Sequence, residues 1–338
     1  MDIEALYFEA LLAQAAYADG LEADMTGERL AEKLMAVKGM TTAQAEYFAS
    51  IYKVVAQQNT TDSGFSATVF QRISDDSLHF AMRGTDNDGP DWVEANAQNG
   101  QHGISYMQVA DMINFYIILI NAGEVPQFQF KEVSESQLLP EQIGYLIDVS
   151  LEGQKKYLIF EQFGSERGLG NGTLNNSSKF AVTGHSLGGH LASAFSLLLS
   201  SVENYTVTFN SAGFVGNFFN EFAAVIASGI NANGITNMLP VEFLETVLDI
   251  KAPEDPISLL GNHISGSPIV VEIEVVGVGD GPIDYVVENH SMDRLVDSLA
   301  VANAMNTLDE TLDIAKYNQF FKVSANPPVS GLLSPQLI

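Results

Sequence analysis

The chain has 338 residues and a formal net charge of −27, from 42 acidic and 15 basic side chains. This length allows one large α/β domain or two smaller ones, and the charge argues against nucleic acid and anionic bilayer surfaces as partners. The sequence contains no cysteine, which excludes disulfides and thiolate catalysis and leaves the redox compartment open.

The first residues carry acidic side chains within their apolar stretch and lack a basic start, which is not the pattern of a Sec signal peptide. No run of eighteen apolar residues occurs anywhere in the sequence, so no transmembrane helix is expected. These features leave open both export without a leader and a cytoplasmic location. Secretion without a Sec signal peptide is our expectation, with a cytoplasmic protein as the alternative.

Three helical patterns begin the chain and predict an N-terminal helical layer. They cover residues 3–17, residues 29–37 and a segment that starts after the cap-like pair Thr41 and Thr42. Two strands follow at 65–73 and 77–82, joined by a short turn.

The second strand ends on Arg83, Gly84, Thr85 and Asp86. A serine that transfers acyl groups needs two donors for its oxyanion, and one of them usually comes from an early strand-to-helix loop. Thr85 is a candidate for this donor because its N–H and hydroxyl can both reach an oxygen beside the small Gly84. An ordinary turn explains the same two residues.

Three acidic residues follow closely, and we consider them as ligands of a calcium ion: Asp86, Asp88 and Asp91. Their spacing lacks the distal bidentate glutamate of an EF-hand. A solvated turn is the competing interpretation.

The middle of the chain predicts a long apolar helix over 103–122 and a strand over 155–163. Residues 164–178 are rich in Gly, Asn and Ser and predict a loop.

Residues 179–200 predict a strand, a sharp turn and a helix, with Ser186 at the turn. The pattern Gly184-x-Ser186-x-Gly188 is typical of a nucleophile elbow, because a strand that leads directly into a helix crowds the flanking positions. The free N–H groups of the helix then face the atom that the serine attacks. The alternative is a glycine turn in which Ser186 only caps the helix.

A strand at 205–210 and a Phe-rich helical stretch over 218–227 follow the elbow helix. An apolar segment interrupted by Gly and Asn is typical of a mobile cover, so residues 212–243 are a candidate lid. A plain core helix fits the pattern equally well.

The next strand, 246–251, runs into a loop that contains Asp255. The acid of a catalytic triad belongs on such a loop, which favours Asp255 over Asp249 within the strand and over Glu254. A further β-branched run at 268–276 predicts another strand or a hairpin arm.

His290 precedes an amphipathic helix near the end of the chain, and this is the place that the order Ser, Asp, His requires for the general base. His263 is its main competitor. A last helix is predicted over 308–322. Residues 1–324 are therefore predicted to form a single catalytic domain, and residues 325–338 a Pro- and Ser-rich tail.

Four segments together resemble the lipase class 3 family of the α/β-hydrolase fold. They are His79–Thr85, Val182–Gly189, Asp255–Ile257 and the segment around His290. The chain is also similar to bacterial extracellular lipases and phospholipases A1 in its acidity, its lack of cysteine and its Gly-His-Ser-Leu-Gly-Gly core.

The resemblance implies an α/β-hydrolase fold with a mostly parallel central sheet flanked by helices, and esterase activity on acylglycerols or phospholipids. It implies that Ser186 is the nucleophile, His290 the base and Asp255 the orienting acid, and that Thr85 and Leu187 form the oxyanion hole. The chain differs from the fungal branch in lacking disulfides and from the long bacterial branch in lacking the repeat tail.

We therefore expect a serine hydrolase of lipid esters that works through an acyl-enzyme and needs no cofactor. Whether it binds a calcium ion is left open. Transient contact with a lipid interface is expected, with no nucleic-acid partner. Phospholipase A1 and general carboxylesterase are the alternatives within the class. An inactive hydrolase-like binding or effector module is the alternative outside it.

Overall fold

A computed structural model describes residues 1–84, 105–140, 142–174, 178–199, 203–214, 218–231, 247–253, 255–274 and 287–324. Its helices are α1 (Ile3–Ala15), α2 (Gly27–Leu34), α3 (Thr42–Ile51), α4 (Tyr106–Ile120), α5 (Leu187–Leu199), α6 (Phe218–Asn231), α7 (Met292–Leu308) and α8 (Ile314–Ser324). Its strands are β1 (Tyr52–Gln58), β2 (Ala67–Arg72), β3 (Leu78–Met82), β4 (Ala122–Ser134), β5 (Tyr145–Val149), β6 (Lys155–Asn171), β7 (Phe180–His185), β8 (Glu203–Phe209), β9 (Val247–Lys251) and β10 (Ile269–Val270).

Seven of these strands form one mixed sheet in the order β1-β2-β3-β7-β8-β9-β10. β1, β2 and β3 pair antiparallel, whereas the five strands from β3 to β10 run parallel to one another. Because these five strands share one direction, the loops that leave their carboxyl ends meet at a single edge of the sheet. This mostly parallel sheet with helices on both faces is the α/β-hydrolase arrangement that the sequence predicts.

Each face of the large sheet carries its own hydrophobic core. One core joins strand residues such as Phe80 and Phe180 to Tyr116 of α4 and Phe195 of α5. The other joins alternate strand residues, such as Ala81, to α1, α2, α3 and α7. Successive side chains of a strand point to opposite faces, so the apolar run of β3 supplies both cores at once.

The predicted N-terminal helical layer is confirmed. α1 is buried on nearly all sides because it lies between the sheet and α7. The Asp2 side chain caps it by accepting a hydrogen bond from the N–H of Ala5 at 2.8 Å. α3 begins with a complete capping box between Thr41 and Gln44.

The sequence does not predict β1, β4 or β5, and it predicts a loop where β6 continues. Residues 164–178 were expected to be a loop, but β6 continues as far as Asn171 and pairs with β4 along its length. Together with β5 it forms a separate sheet in the order β4-β6-β5. The sequence does not separate β1 from α3, because the apolar pattern of the third helix continues through Ile51 and Tyr52 whereas the helix ends at Ile51.

The candidate lid at 212–243 lies only partly within the described residues. Its central part is α6, which packs against β6 and buries an apolar face that includes Phe222 and Ile226. The rings of Phe222 and Phe130 stack with their centroids 4.8 Å apart. The predicted tail at 325–338 lies outside the described residues, and none of the described helices is long and apolar enough to cross a membrane.

Candidate active site

Ser186 lies at the turn between β7 and α5, at the carboxyl edge of the large sheet. Its φ angle is +57°, in the left-handed region that side chains other than glycine rarely adopt. The Ser186 N–H donates to the carbonyl of Phe209 at 3.0 Å, and the Ser186 carbonyl accepts from the N–H of His190 at 3.1 Å. The strained serine is therefore held by β8 on one side and by the first turn of α5 on the other.

Two glycines bring the end of β3 against this turn. A Cβ on Gly188 would lie 2.2 Å from the carbonyl oxygen of Met82, and a Cβ on Gly84 would lie 3.2 Å from the Cβ of Ser186. The first distance is too short for any side chain, and a Cβ on Gly84 would also lie only 2.7 Å from the carbonyl oxygen of His185, so the backbone of the β3 end passes directly beside the serine turn. Thr85, the next residue, lies outside the described residues, as do Asp86, Asp88 and Asp91.

Leu187 is the first residue of α5 and is buried. The first N–H groups of a helix have no partner within the helix. The N–H of Leu187 therefore belongs to the positive end of α5, immediately beside Ser186.

His290 and Asp255 form a buried pair. The Nδ1 atom of His290 lies 2.7 Å from Oδ1 of Asp255, and the two residues are 3% and 1% exposed. Because a carboxylate only accepts hydrogen bonds, Nδ1 carries the proton in this pair. In a neutral ring this leaves the lone pair on Nε2, which is the form that a general base needs.

The loop after Asp255 turns back onto its carboxylate. Oδ2 accepts from the N–H of Ser258 at 2.8 Å, and Oδ1 accepts from the N–H of Ile257 at 3.3 Å. Burial by itself would raise the pKa of Asp255, but the hydrogen bonds from His290 and Ser258 outweigh it and the pKa is lowered. The carboxyl group is therefore ionised at neutral pH.

The backbone of His290 is tied to the serine turn through His185. The carbonyl of His290 accepts from Nε2–H of His185 at 2.7 Å, and the two imidazole rings lie 4.7 Å apart between centroids. His290 is thus fixed beside the residue that immediately precedes Ser186. Its Nε2 atom is buried and makes no hydrogen bond to any described residue. The hydrogen bond between a catalytic base and its nucleophile is often long before a substrate binds.

The rival acid and base that the sequence left open form a separate pair. Nδ1 of His263 lies 2.9 Å from Oδ2 of Asp249, and Oδ1 of Asp249 accepts from the hydroxyl of Thr208 at 2.7 Å. The other rival acid, Glu254, lies outside the described residues. Of the candidate acids within the described residues, Asp255 is the one that contacts His290.

The sequence does not predict a place in this site for Tyr17 or Asn210. Tyr17 donates its O–H to Nδ1 of His185 at 2.8 Å, because Nε2 of that ring already holds the proton. Asn210 follows β8 with a φ angle of +45° and joins the N–H of Ala252 to the carbonyl of His290. The one sequence signal was an Asn directly after a strand, which tolerates the left-handed region.

His185 is next to Ser186 in the chain and therefore too close to serve as its base, and the structure gives it a supporting place instead. Burial, and then the nearby His290, lower the pKa of His185 to about 3. The ring is therefore neutral at physiological pH, with one nitrogen that donates and one that accepts.

No group of three or more potential metal-ligating side chains lies together among the described residues. A cavity of about 450 Å³ lies between the start of α1, β10 and α8, lined by Met1, Leu6, Ile269, Val270, Asp313, Ile314, Ala315 and Asn318. It includes none of the three candidate catalytic side chains.

No protein-family model matches this chain, and no curated protein matches it in sequence. Among solved structures it is similar to the lipase Lip2 from Yarrowia lipolytica, with 12% identity and a TM-score of 0.36 over 85% of this chain and 91% of the other. It is also similar to the lipase from Rhizopus microsporus var. chinensis, with 13% identity and a TM-score of 0.37 over 76% and 68% of the two chains.

A third similar structure is the triacylglyceride lipase of Rhizomucor miehei, with 13% identity and a TM-score of 0.35 over 75% of this chain and 72% of the other. TM-scores of this size carry no argument for fold or activity. The assignment of the fold rests on the order of strands in the large sheet, and the chemical argument rests on the geometry around Ser186.

Proposed function

We propose that this protein is a serine carboxylic-ester hydrolase that acts on lipid esters. The observation that carries the proposal is the buried pair of His290 and Asp255, with 2.7 Å between Nδ1 and Oδ1, which a hydrogen bond from His185 ties to the strained turn of Ser186. If Ser186 only capped the helix, neither its left-handed backbone nor the buried pair of His290 and Asp255 would be needed. The same proposal treats residues 1–324 as one catalytic domain.

In the proposed first step, the hydroxyl oxygen of Ser186 attacks the ester carbonyl while Nε2 of His290 takes the hydroxyl proton. The carbonyl double bond opens to an oxyanion. The N–H of Leu187 and the N–H and hydroxyl of Thr85 stabilise that oxyanion. Gly84 supports this role for Thr85 because it packs against Ser186.

The tetrahedral intermediate then collapses and expels the alcohol, which receives the proton from Nε2 of His290. An acyl group remains on Ser186. Water attacks this ester with His290 again acting as the base, releasing the acid and restoring the serine. Throughout, the Asp255 carboxylate stabilises the positive charge that forms on His290.

The lipid part of the proposal rests on the sequence resemblance to the lipase class 3 family. Triacylglycerol lipase is the primary proposal, while phospholipase A1 and general carboxylesterase are the alternatives. Comparing the hydrolysis of emulsified triolein, phosphatidylcholine vesicles and a short soluble ester separates the three. The proposed chemistry needs no cofactor.

The test of the chemistry is Ser186→Ala, which should lower the kcat for p-nitrophenyl esters on the order of 10⁶-fold. Ser50→Ala is a matched control, because Ser50 is an exposed helical serine whose hydroxyl contacts only the carbonyl of Tyr47 within the described residues. A fluorophosphonate should phosphonylate Ser186 with loss of fluoride. Full activity of Ser186→Ala would refute the proposal, and a wild type that neither reacts with the probe nor hydrolyses esters would favour a binding or effector module.

A further inference from the structure

A second acid–histidine pair lies next to the loop that carries Asp255. His263 ends a short segment that begins at Asp255 and includes a 3₁₀ turn at Ile257–Leu259. Its partner, Asp249, lies on β9 with 2% exposure and is also held by Thr208 of β8. This pair therefore has one member in the sheet and one on the acid loop.

Both ring nitrogens of His263 face acceptors. Nε2 lies 3.0 Å from the carbonyl oxygen of Ser258, and a carbonyl only accepts, so Nε2 carries a proton. Nδ1 lies 2.9 Å from the Asp249 carboxylate, in an ion pair rather than a well-aligned hydrogen bond. A bare lone pair on Nδ1 would be repelled by that carboxylate, so this geometry favours the doubly protonated ring, the imidazolium.

The charges around His263 support this state. Asp249 raises the pKa of His263 more than burial lowers it, and Lys251 on the same strand opposes the shift only weakly. His190 of α5 faces the same region, but burial lowers its pKa to about 4 and leaves it neutral. The imidazolium is therefore held mainly by one carboxylate.

Ser258 links His263 to Asp255. Its carbonyl accepts a hydrogen bond from His263, and its own donors contact Asp255. Its N–H donates to Oδ2 of Asp255 at 2.8 Å, and its hydroxyl donates to the Asp255 backbone carbonyl at 3.1 Å. A chain of contacts thus runs from Thr208 and Asp249 in the sheet through His263 and Ser258 to Asp255.

We propose that His263 is a positioning residue whose imidazolium links Asp249 to the carbonyl of Ser258 and so holds Asp255 in place to orient His290. The inference rests on the proposed function for its effect on hydrolysis. The contacts themselves exist in the protein whether or not it hydrolyses esters.

Three variants test the proposal. His263→Phe keeps a ring but removes both donors. His263→Gln keeps an amide with two N–H donors and removes the titration. Asp249→Asn weakens the hold on the proton of His263.

His263→Phe should lower the kcat for a soluble ester about tenfold or more while KM stays within about twofold, because a misplaced acid affects the chemical step more than binding. The wild type should lose kcat at alkaline pH as His263 gives up its proton. In Asp249→Asn this loss should begin at a lower pH, whereas in His263→Gln it should be absent.

Nuclear magnetic resonance gives a readout that does not depend on activity. In the wild type at neutral pH, both ring nitrogens of His263 should show imidazolium shifts. The downfield resonance of the proton between His290 and Asp255 should shift or broaden in His263→Phe and recover in His263→Gln. A neutral His263 at neutral pH, or an unchanged downfield proton in His263→Phe, overturns the inference.

The two proposals fail separately. A wild type that does not hydrolyse esters refutes the proposed function, while the resonances of His263 and His290 still decide whether the chain of contacts holds Asp255. An active wild type whose kcat and pH profile are unchanged in His263→Phe refutes the positioning role alone.

Discussion

Nε2–H of His185 donates a hydrogen bond of 2.7 Å to the backbone carbonyl of His290, across 105 positions of sequence. The residue before the candidate nucleophile therefore holds the residue that carries the candidate base. Tyr17 completes the arrangement by donating to the other nitrogen of His185. The serine turn and the base loop are in this way one hydrogen-bonded unit, and its parts can be tested individually.

Replacing the candidate acid should affect catalysis much more than replacing its rival. Asp255→Asn should lower the kcat on the order of 10³- to 10⁴-fold, because the amide no longer fixes the tautomer of His290 or stabilises its positive charge. Asp249→Asn is the matched control, and its loss should be far smaller because Asp249 contacts His263 instead. Steady-state kinetics on a soluble ester measures both, and equal losses would contradict the assignment of Asp255.

The left-handed backbone of Ser186 should make it a site where stability and activity oppose each other. Ser186→Gly should raise the free energy of unfolding by about 1 kcal/mol, because glycine adopts a φ angle of +57° without a Cβ penalty. Ser186→Ala retains the Cβ and should gain no such stability, although both variants should be inactive. Urea denaturation compares them, and equal stability of the two would argue against strain at the turn.

The close approach of β3 to the elbow should make Gly188 intolerant of any side chain. A Cβ there would meet backbone atoms of Met82 and Arg83 at 2.2 and 2.7 Å, so Gly188→Ala should destabilise the fold by about 3 kcal/mol or more. Gly266→Ala is the control because nothing lies within 4 Å of its added Cβ. Its Tm should change little. A Gly188→Ala protein with a normal Tm would disprove the contact.

Stability should fall as the pH is lowered from 6.5 towards 3. The folded pKa of His185 is lowered to about 3 from its ordinary value of 6.5, mainly by burial. Between pH 3 and pH 6.5 the His185 ring binds a proton in the unfolded chain but not in the folded chain. The contribution of neutral His185 to stability is therefore complete above pH 6.5 and is lost as the pH falls towards 3. His185→Gln should show a shallower decline in urea denaturation across this range, and an identical slope would exclude His185 as a cause.

The elbow and the positions of the candidate acid and base were predictable because each depends on a few residues that are neighbours in the sequence. The elbow around Ser186 shows as a strand, two glycines and a helix, and Asp255 and His290 each follow or precede an element with clear periodicity. Their pairing required only the chain order of the triad. By contrast, Tyr17 and His185 are 168 residues apart in the sequence, and no local sequence pattern predicts their contact.

The missed half of β6 has a physical reason in its partner strand. Its glycines look like loop residues, yet Gly168 and Gly170 pair with Val125 and Gly123 of β4. A Cβ on Gly170 would lie 2.3 Å from the carbonyl of Asn121. These glycines serve close packing within a strand, a purpose that composition alone does not separate from a turn.

The three candidate catalytic side chains all follow strands of the large sheet or precede its last packed helix, and the three-stranded sheet supplies none of them. That smaller sheet enters the chain as one continuous excursion between β3 and β7. Its buried residues Phe130 and Phe160 nevertheless belong to the same hydrophobic core as Phe80 and Phe180 of the large sheet, so this excursion bears on the candidate site through packing.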